Sequence, residues 1–490
     1  MLVSRTVLGS GLSLRGAGTH VLNGNPRQLA AVRSVTGDTR ALPLLQMSAT
    51  GSTGAAAEST TGRVVRRMSP EDLSILALEN ETVAGHTCKV IVLGGRIDLD
   101  LLRSSITARL HQAPRLCMRF CEIDRELCWV SDQQLDVGGH LAICDDAEEC
   151  DEAGLRAAVA RVFQQRLERS RPLWRIDVIP RVAGGGSALI WRIHHALADG
   201  STAMRMASAV LWDEKPNTDV RASRFRERPP ATGHADPDVH QRLAGLLAAA
   251  REAPQPWLRS PFDGHIGARR AVAFATVELE GLRRAARATD GATVNDAVLT
   301  VVAGGLRRWL EARHGHLGAI RVKVPVSLHN SSLTPGGEEP GNRDSFFCLD
   351  LPLGSADPLD RLAAIRRATR VRKQGHDAQH LDALMHELAR TPRLRQFAEG
   401  VLAHSRSFAL NVSNVPGPRQ PVHVLGVPVR ALYSLAEIRE HHALRIAVTS
   451  LANTLNFGVT ADPTLIADVD DLARHIQTEA TALVAGLPPL

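Results

Sequence analysis

Two adjacent histidines and an aspartate form the clearest chemical pattern in the 490-residue chain. His194 and His195 close the apolar stretch SALIWRIHH, and Asp199 and Gly200 follow at the spacing HHxxxDG. If this stretch is a strand, successive side chains point to opposite faces of the sheet. His195 then continues the apolar face and His194 lies on the other one, so the two imidazoles are predicted to have different roles.

The residues after the histidines are predicted to form a turn and a helix. Gly200 allows backbone angles that other residues resist, and Asp199 could cap the helix STAMRMASAVLW or pair with a cation. The sequence contains no GxSxG elbow, P-loop, complete GxGxxG or HExxH motif. Without those motifs, the pattern favours one imidazole as a general base that takes a proton from a hydroxyl as it attacks a thioester. The alternative is a packed histidine beside a capping aspartate.

The composition is that of a globular protein with a mild positive charge. Hydrophobic residues make up 44% and charged residues 22% of the chain, and the net charge is +6. This charge suits an anionic ligand or membrane surface, and we expect no nucleic acid as a partner. The seven cysteines indicate reduced thiols in a cytoplasmic protein. Cys117, Cys121 and Cys128 lie in a stretch that alternates like a hairpin, which favours thiols over a metal site.

The chain is predicted to contain two α/β halves. Residues 1–67 are rich in Gly, Ser, Thr and Ala and are interpreted as a disordered or mis-assigned leader. We expect an N-terminal domain over 68–213, an interdomain connection over 214–270, and a C-terminal domain over 271–490. No apolar run approaches the ~20 residues that are needed to cross a bilayer.

Several stretches resemble one family. HHxxxDG is typical of the chloramphenicol acetyltransferase-like superfamily. The chain is similar, within it, to the bacterial wax ester synthase/diacylglycerol acyltransferase family. The matching stretches keep that family's order over roughly residues 68–480, and they are MSPEDLSILALE, CWVSDQQLDVGGHL, SRPLWRIDVI, VNDAVLTVVAGGLRRWL, PGNRDSFFCLDLPL, LNVSNVPGP and LRIAVTSLANTLNFGVTADP.

The resemblance implies an α/β fold of two chloramphenicol acetyltransferase-like domains, each a mostly mixed sheet flanked by helices, with an active-site tunnel at their interface. It makes His195 the general base, His194 its supporting neighbour, Asp199 the residue that holds the loop through a charged partner, and Gly200 the turn. The resemblance also places seven further residues at the site, which are Pro172, Leu173, Trp174, Asn295, Asp296, Ser413 and Asn414. The alternative roles of these residues are packing, helix capping and turn formation.

The resemblance also implies an activity. The chain would be an acyl-CoA-dependent O-acyltransferase that makes triacylglycerol from diacylglycerol, with wax esters from long-chain alcohols as a second activity. Transfer would be direct, without a covalent enzyme intermediate and without a metal. No cofactor is implied, because acyl-CoA is a substrate of the reaction. Two alternatives are a condensation-like acyltransferase with another acceptor and a non-catalytic lipid-binding relative.

Two basic stretches are either solvated faces or contacts with anionic phospholipid or CoA phosphates. One is RASRFRERPP over 221–230, and the other carries Arg361, Arg366, Arg367, Arg370, Arg372 and Lys373. With the resemblance, the second interpretation predicts an enzyme in the cytoplasm that associates peripherally with the plasma membrane, lipid bodies or lipid droplets. The sequence carries no signal for an oligomeric state.

Overall fold

The computed structural model describes most of the chain from residue 57 onward. The described residues are 57–58, 64–144, 149–214, 239–255, 260–316, 318–327, 344–388, 398, 400–402 and 404–487. The predicted leader lies outside these residues except for its last part. Val64–Arg67, at the end of that leader, form a strand that pairs with the strand Glu126–Ser131.

Sixteen strands are found in the described residues. In chain order they are β1 (Ala57–Glu58), β2 (Val64–Arg67), β3 (His86–Leu93), β4 (Met118–Ile123), β5 (Glu126–Ser131), β6 (Leu141–Ile143), β7 (Trp174–Val182), β8 (Gly186–His194), β9 (Ala271–Glu278), β10 (Ala319–Ser327), β11 (Asp344–Pro352), β12 (Leu410–Val415), β13 (His423–Val424), β14 (Val427–Ala436), β15 (Leu444–Leu451) and β16 (Thr454–Ala461).

Ten α-helices whose two ends both lie in the described part of the chain flank these strands. They are α1 (Pro70–Ala77), α2 (Leu99–Arg109), α3 (Glu152–Phe163), α4 (Gly200–Val210), α5 (Val239–Glu252), α6 (Leu279–Ala288), α7 (Val294–His314), α8 (Pro358–Gln374), α9 (Asp377–Leu388) and α10 (Val469–Ala485). Side-chain caps hold several N-termini, as when Asp151 accepts a hydrogen bond from Gly154 N at the start of α3.

The strands form two six-stranded sheets and one smaller sheet. The first large sheet has the order β13-β14-β3-β8-β7-β6, the second has the order β11-β10-β12-β15-β16-β9, and the small sheet has the order β1-β2-β5-β4. Most neighbours are antiparallel, but β6–β7, β10–β12 and β12–β15 are parallel. The predicted fold class, mixed sheets flanked by helices, is confirmed.

The alternation that the sequence predicts for β8 is present in the core. Leu189, Trp191 and Ile193 pack in one hydrophobic cluster, while Ala188 and Ile190 pack in another on the opposite face. The same strand pairs with β3, and this register places His194 opposite His86. The strand therefore presents its two faces to different surroundings up to its last residue.

The first large sheet takes two strands from the C-terminal half of the chain. β14 pairs antiparallel with β3 and places Leu432 opposite Ile91, and β13 extends this edge. β14 also packs against β15 and β16 of the second sheet. A Cβ on Gly458 would lie 2.0 Å from the Ser434 carbonyl oxygen, so the two sheets come into backbone contact there. The domain boundaries that the sequence predicts do not show that β13 and β14 join the sheet of the N-terminal domain.

Ion pairs within the chain engage three arginines of the basic stretch in α8. Arg361 is fully buried and pairs with Glu479 of α10. Arg366 pairs with Asp290 at 2.8 Å, and the neighbouring Arg372 pairs with Asp377 at 2.7 Å. These three arginines bind carboxylates of the same chain, whereas Arg367 and Arg370 are exposed. Contact of the stretch with anionic lipid or CoA phosphates therefore stays a prediction, and only its exposed residues can support it. Residues 221–230 lie outside the described part.

Two further expectations concern the state of the cysteines and the presence of a membrane-spanning helix. All seven cysteines are free thiols, and Cys121 and Cys128 face each other in the hairpin of β4 and β5. Among the described residues, no helix combines the length and the apolar character that crossing a membrane requires.

Candidate active site

The HHxxxDG segment begins at the end of β8 and is held there by backbone hydrogen bonds. His194 N donates to the Leu173 carbonyl at 2.9 Å, and His195 N donates to the Gly85 carbonyl at 3.0 Å. The His194 carbonyl accepts from Leu197 N at 2.9 Å, which turns the chain toward α4. The strand end therefore fixes the backbone of both histidines.

The His194 ring has partners at both of its nitrogens. Its Nδ1 accepts a hydrogen bond from Ala196 N at 3.1 Å, and its Nε2 lies 3.4 Å from a carboxylate oxygen of Glu79. The residue is 1% exposed. Because Nδ1 accepts a hydrogen bond from the backbone, Nε2 carries the ring hydrogen, on the side of the ring where Glu79 lies. His194 is therefore arranged to orient the loop.

Glu79 is a site residue that the sequence did not single out. It also pairs with Arg169 at 3.0 Å. Burial opposes ionisation of Glu79, but hydrogen bonds from His194 and Arg169 hold the pKa of this carboxyl below its usual value. The carboxylate therefore stays charged beside the His194 ring. The segment MSPEDLSILALE contains it, but nothing in the chain's local pattern connects it with a histidine 115 residues later.

The His195 ring has different surroundings. The residue is half-buried, the first after β8. Its pKa is lowered to about 4, mainly by burial and also by the charge of Arg445, while the charge of Asp199 opposes this shift. The imidazole is therefore neutral at pH 7, which is the protonation state that a general base needs. Arg445 of β15 was not identified from the sequence, because β15 reaches this region only through tertiary contacts.

Asp199 caps α4, as one of the two sequence interpretations predicts. One of its carboxylate oxygens accepts hydrogen bonds from Thr202 N at 2.6 Å and Ser201 Oγ at 2.9 Å. The residue is fully buried. Lys89 is a cation within the electrostatic reach of Asp199: its pKa is lowered to about 8, mainly by burial, and the charge of Asp199 opposes that shift. Lys89 also donates to Ser434 Oγ at 2.8 Å.

Two glycines allow close approaches at the site. Gly85 has a φ of +71°, and a Cβ there would lie 2.5 Å from His194 Nε2. Gly200 begins α4, and a Cβ there would lie 2.9 Å from a methyl group of Val415. Because Gly200 has no side chain, Val415 of β12 can pack directly against the start of α4. Gly85 is a second glycine at the site, and it was not identified from the sequence.

The PLW element supports β8 from the neighbouring strand. Leu173 provides the carbonyl for His194, and Trp174 pairs with Ile193 in the sheet. Trp174 is 2% exposed, donates to the Leu116 carbonyl at 2.8 Å and stacks on His140 with ring centroids 4.3 Å apart. Pro172 is buried next to them. These contacts correspond to packing, which was the alternative role for the PLW element in the sequence analysis.

Asn295 and Asp296 lie in the first turn of α7. Asp296 forms a capping box with Thr293, and its other oxygen accepts from Thr369 of α8 at 2.7 Å. Asn295 accepts a hydrogen bond from the Asn414 amide at 3.3 Å. The pair therefore both caps α7 and links it to α8 and β12.

Ser413 and Asn414 lie near the end of β12, which approaches the HHxxxDG loop. Their neighbour Val415 is the residue that contacts Gly200. The structure thus connects the predicted residues of β12 with α7 on one side and with α4 on the other. Gly341 and Asn342, in the PGNRD stretch, lie outside the described residues.

One group of side chains could hold a metal ion in the described part of the chain. It consists of His265, Glu440 and His441, whose ligand atoms lie within 4.8 Å of one another. The group includes none of the predicted site residues. The expectation that the reaction needs no metal and no cofactor stays a prediction.

Arg445 gives a test of the His195 environment. Replacing Arg445 with glutamine removes a positive charge that lowers the pKa of His195, so the pKa rises. The acid limb of the pH profile of kcat/KM should therefore move from about pH 4 toward the ordinary value of about 6.5. Arg430→Gln, at an exposed position of β14, is the control and should leave the limb in place. An unmoved limb in Arg445→Gln would contradict the assignment of the titrating group.

Two family profiles match this chain. The wax ester synthase/diacylglycerol acyltransferase catalytic domain matches residues 68–256, and the WS/DGAT C-terminal domain matches residues 340–483. Among curated relatives, the Mycobacterium tuberculosis protein named "Probable diacyglycerol O-acyltransferase tgs1" is 29% identical over 424 residues, which cover 81% of this chain and 90% of the relative.

Solved structures with the same fold include a member of that family. The wax ester synthase/diacylglycerol acyltransferase from Marinobacter aquaeolei VT8 superposes with a TM-score of 0.61 at 21% identity, covering 85% of this chain and 98% of the other. The starter condensation domain of rhizomide synthetase, in complex with C8-CoA and Leu-SNAC, superposes with a TM-score of 0.55 at 15% identity, covering 87% and 97%. The chain belongs to the wax ester synthase/diacylglycerol acyltransferase family of acyltransferases.

Proposed function

We propose that this protein transfers an acyl group from acyl-CoA to the hydroxyl of diacylglycerol, with His195 as the general base. The observation that carries this proposal is the division between the two histidines. His194 has its nitrogens engaged by Ala196 and Glu79. His195 is half-buried and neutral at pH 7, beside the buried carboxylate of Asp199.

The reaction needs two proton transfers, one from the acceptor hydroxyl to His195 and one from His195 to the CoA sulfur. His195 takes the proton from the acceptor hydroxyl while that oxygen attacks the thioester carbonyl, and a tetrahedral adduct forms. The carbon–sulfur bond then breaks, and the CoA sulfur leaves and takes the proton back from the imidazolium. The products are the ester and CoA with a free thiol, and no bond to the enzyme forms.

The charges around His195 suit a transient imidazolium. The negative charge of Asp199 stabilises the protonated ring, whereas burial and Arg445 favour the neutral ring before and after the step. A base that holds its proton only briefly returns it readily to the leaving sulfur. Asp199 therefore has two roles in this proposal, because it also caps α4.

The acceptor and the donor are proposed from the relatives. The mycobacterial relative is named as a diacylglycerol O-acyltransferase, and the Marinobacter structure is named as a wax ester synthase as well. We infer diacylglycerol as the main acceptor and long-chain alcohols as a second class, both reaching His195 through a tunnel between the two halves of the fold. Acyl-CoA enters opposite the acceptor.

An acceptor panel tests this proposal. Purified protein is incubated with radiolabelled acyl-CoA and diacylglycerol, a long-chain alcohol or an amine, and the products are separated by chromatography. The proposal expects label in triacylglycerol and, at a lower rate, in wax ester. Label in an amide alone would indicate a condensation-like enzyme, and no transfer to any acceptor would indicate a lipid-binding relative; either result contradicts the proposal.

We also propose peripheral contact with an anionic membrane or lipid droplet, through α5. Leu243, Leu246 and Leu247 of this helix are 54%, 57% and 55% exposed. Their spacing places them on one face of the helix, where they could enter a lipid interface. In the basic stretch of α8, Arg361, Arg366 and Arg372 bind carboxylates, so the exposed Arg367 and Arg370 are the residues that we propose for the contact with anionic lipid.

Vesicle flotation checks the α5 surface. Leu246→Asp should reduce the fraction of protein that floats with anionic vesicles several-fold, because a carboxylate resists burial in the interface and is repelled by the lipid charge. Leu101→Asp is the matched control, since Leu101 of α2 is 60% exposed. Equal flotation of both variants, or equal binding of the unchanged protein to neutral vesicles, would contradict the proposed contact.

A further inference from the structure

A cavity of about 180 Å³ lies beside β7 and β8, where the chain that follows α3 meets the start of β7. This volume is large enough for a small ion or headgroup. Four arginines and one histidine line it, and we call it the arginine pocket; these residues are Arg166, Arg171, Arg175, Arg192 and His140.

The arginines give the pocket a positive charge that their partners only partly cancel. Arg192 is 1% exposed, and it binds Asp177 through Nε and Nη2 and the Gln165 carbonyl through Nη1. A guanidinium has five N–H donors, so two N–H groups of Arg192 take no part in these three bonds. Arg175 shares Asp177 at 3.0 Å, and Arg171 pairs with Glu168 at 3.1 Å. Two carboxylates thus face four guanidinium groups.

His140 brings an acceptor into the same pocket. The residue is 2% exposed, and its Nδ1 lies 2.8 Å from the Trp174 carbonyl. A carbonyl only accepts, so Nδ1 carries the hydrogen and Nε2 presents a lone pair. No described residue hydrogen-bonds to this buried Nε2. Burial, together with the charges of Arg171 and Arg175, lowers the pKa of His140 and keeps the ring neutral.

This combination of donors and acceptor selects an unusual ligand. Guanidinium groups bind the oxygens of an oxyanion, whereas the lone pair of His140 needs a ligand that also offers an O–H group. Sulfate and carboxylate carry no O–H group at pH 7. Hydrogen phosphate does, and so does a phosphate ester whose alcohol part has a neighbouring hydroxyl.

We propose that the arginine pocket binds a phosphate group accompanied by an O–H donor. The phosphate oxygens accept hydrogen bonds from the arginines, and the O–H group donates to His140 Nε2. The source is either inorganic phosphate or the phosphate ester of a polyol. Binding at this pocket can be measured without any turnover.

Calorimetric titration in a phosphate-free buffer at pH 7 tests the ligand. The arms are inorganic phosphate, glycerol 3-phosphate and sodium sulfate. At least one phosphate ligand should bind about tenfold or more tightly than sulfate, because sulfate leaves the buried acceptor unpaired. The tighter of the two phosphate ligands identifies the source. No binding of either phosphate, or equal binding of sulfate, overturns the proposal.

Two variants separate the acceptor from the charge. His140→Asn keeps an N–H near the position of Nδ1 for the Trp174 carbonyl and removes the acceptor, so the preference for phosphate over sulfate should disappear. Arg175→Gln should weaken phosphate binding about tenfold, and it provides a readout even if His140→Asn does not fold. Arg181→Gln, on β7 outside the pocket, is the control. Equal affinities in His140→Asn, Arg175→Gln and the unchanged protein overturn the proposal.

Discussion

Replacing His195 with alanine lowers kcat for acyl transfer to diacylglycerol by about 10²–10⁴-fold, the contribution of a positioned general base. The fold should remain intact, because the hydrogen bond to Gly85 is made by the backbone nitrogen of residue 195 and survives in alanine. Initial rates with radiolabelled acyl-CoA measure the loss, and a thermal unfolding curve checks the fold.

The neighbouring histidine is the control for this result. His194→Ala removes the acceptor of the Ala196 N–H group and the partner of Glu79 inside the protein. Leaving buried polar groups unpaired costs about 1–3 kcal/mol, so this variant should lose more stability than His195→Ala and less turnover. The reverse order of turnover would assign the base to His194 instead.

A single methyl group on Gly85 should also disable the site. In Gly85→Ala the new Cβ would lie 2.5 Å from His194 Nε2 while φ is +71°. The His194 ring must then move, and the Gly85 carbonyl that accepts the hydrogen bond from His195 N moves as well. Misplacement of a catalytic group by about 1 Å costs roughly 10²-fold in rate, so we expect kcat to fall by about that factor.

Gly185→Ala separates the clash from the backbone strain. Gly185 has a φ of +77°, but a Cβ there meets no atom within 4 Å. Both variants incur roughly 1–2 kcal/mol from the left-handed conformation, and only Gly85→Ala should lose activity. Equal kcat values in the two variants would show that the contact between Gly85 and His194 does not matter for turnover.

Local patterns predicted the parts of the site that are close in sequence. The alternation of SALIWRIHH gave the two faces of β8, and the acidic residue before a helical stretch gave the cap by Asp199. The capping box of Thr293 and Asp296 is equally local. These features depend on backbone geometry over a few residues, which a single sequence records.

The residues that complete the site come from distant elements. Glu79 follows α1, Lys89 lies on β3 and Arg445 lies on β15, so only the folded chain brings them to the histidines. The transfer of β13 and β14 to the first sheet is a similar long-range feature. Gly85 directly precedes β3, and it could have been suspected as a turn residue but not as a neighbour of His194.

The basic stretch of α8 shows how far a local charge pattern can be interpreted. Six positive charges in thirteen residues left a solvated face and a contact with anionic lipid or CoA as alternatives. Arg361, however, lies on the same buried stripe as Leu362, Ile365 and Thr369, where it meets Glu479. Helical periodicity in the sequence already places these four residues on one face, so the burial of Arg361 was open to prediction although its partner was not.

The pH dependence of the rate in His195→Ala tests the central claim most directly. The unchanged enzyme should show an acid limb in kcat/KM near pH 4, because protonation of His195 removes the base. The variant should be slower at every pH above that limb, and the limb itself should be absent. A variant that keeps the full rate at pH 7, or that shows the same limb, would contradict the assignment of the proton to His195.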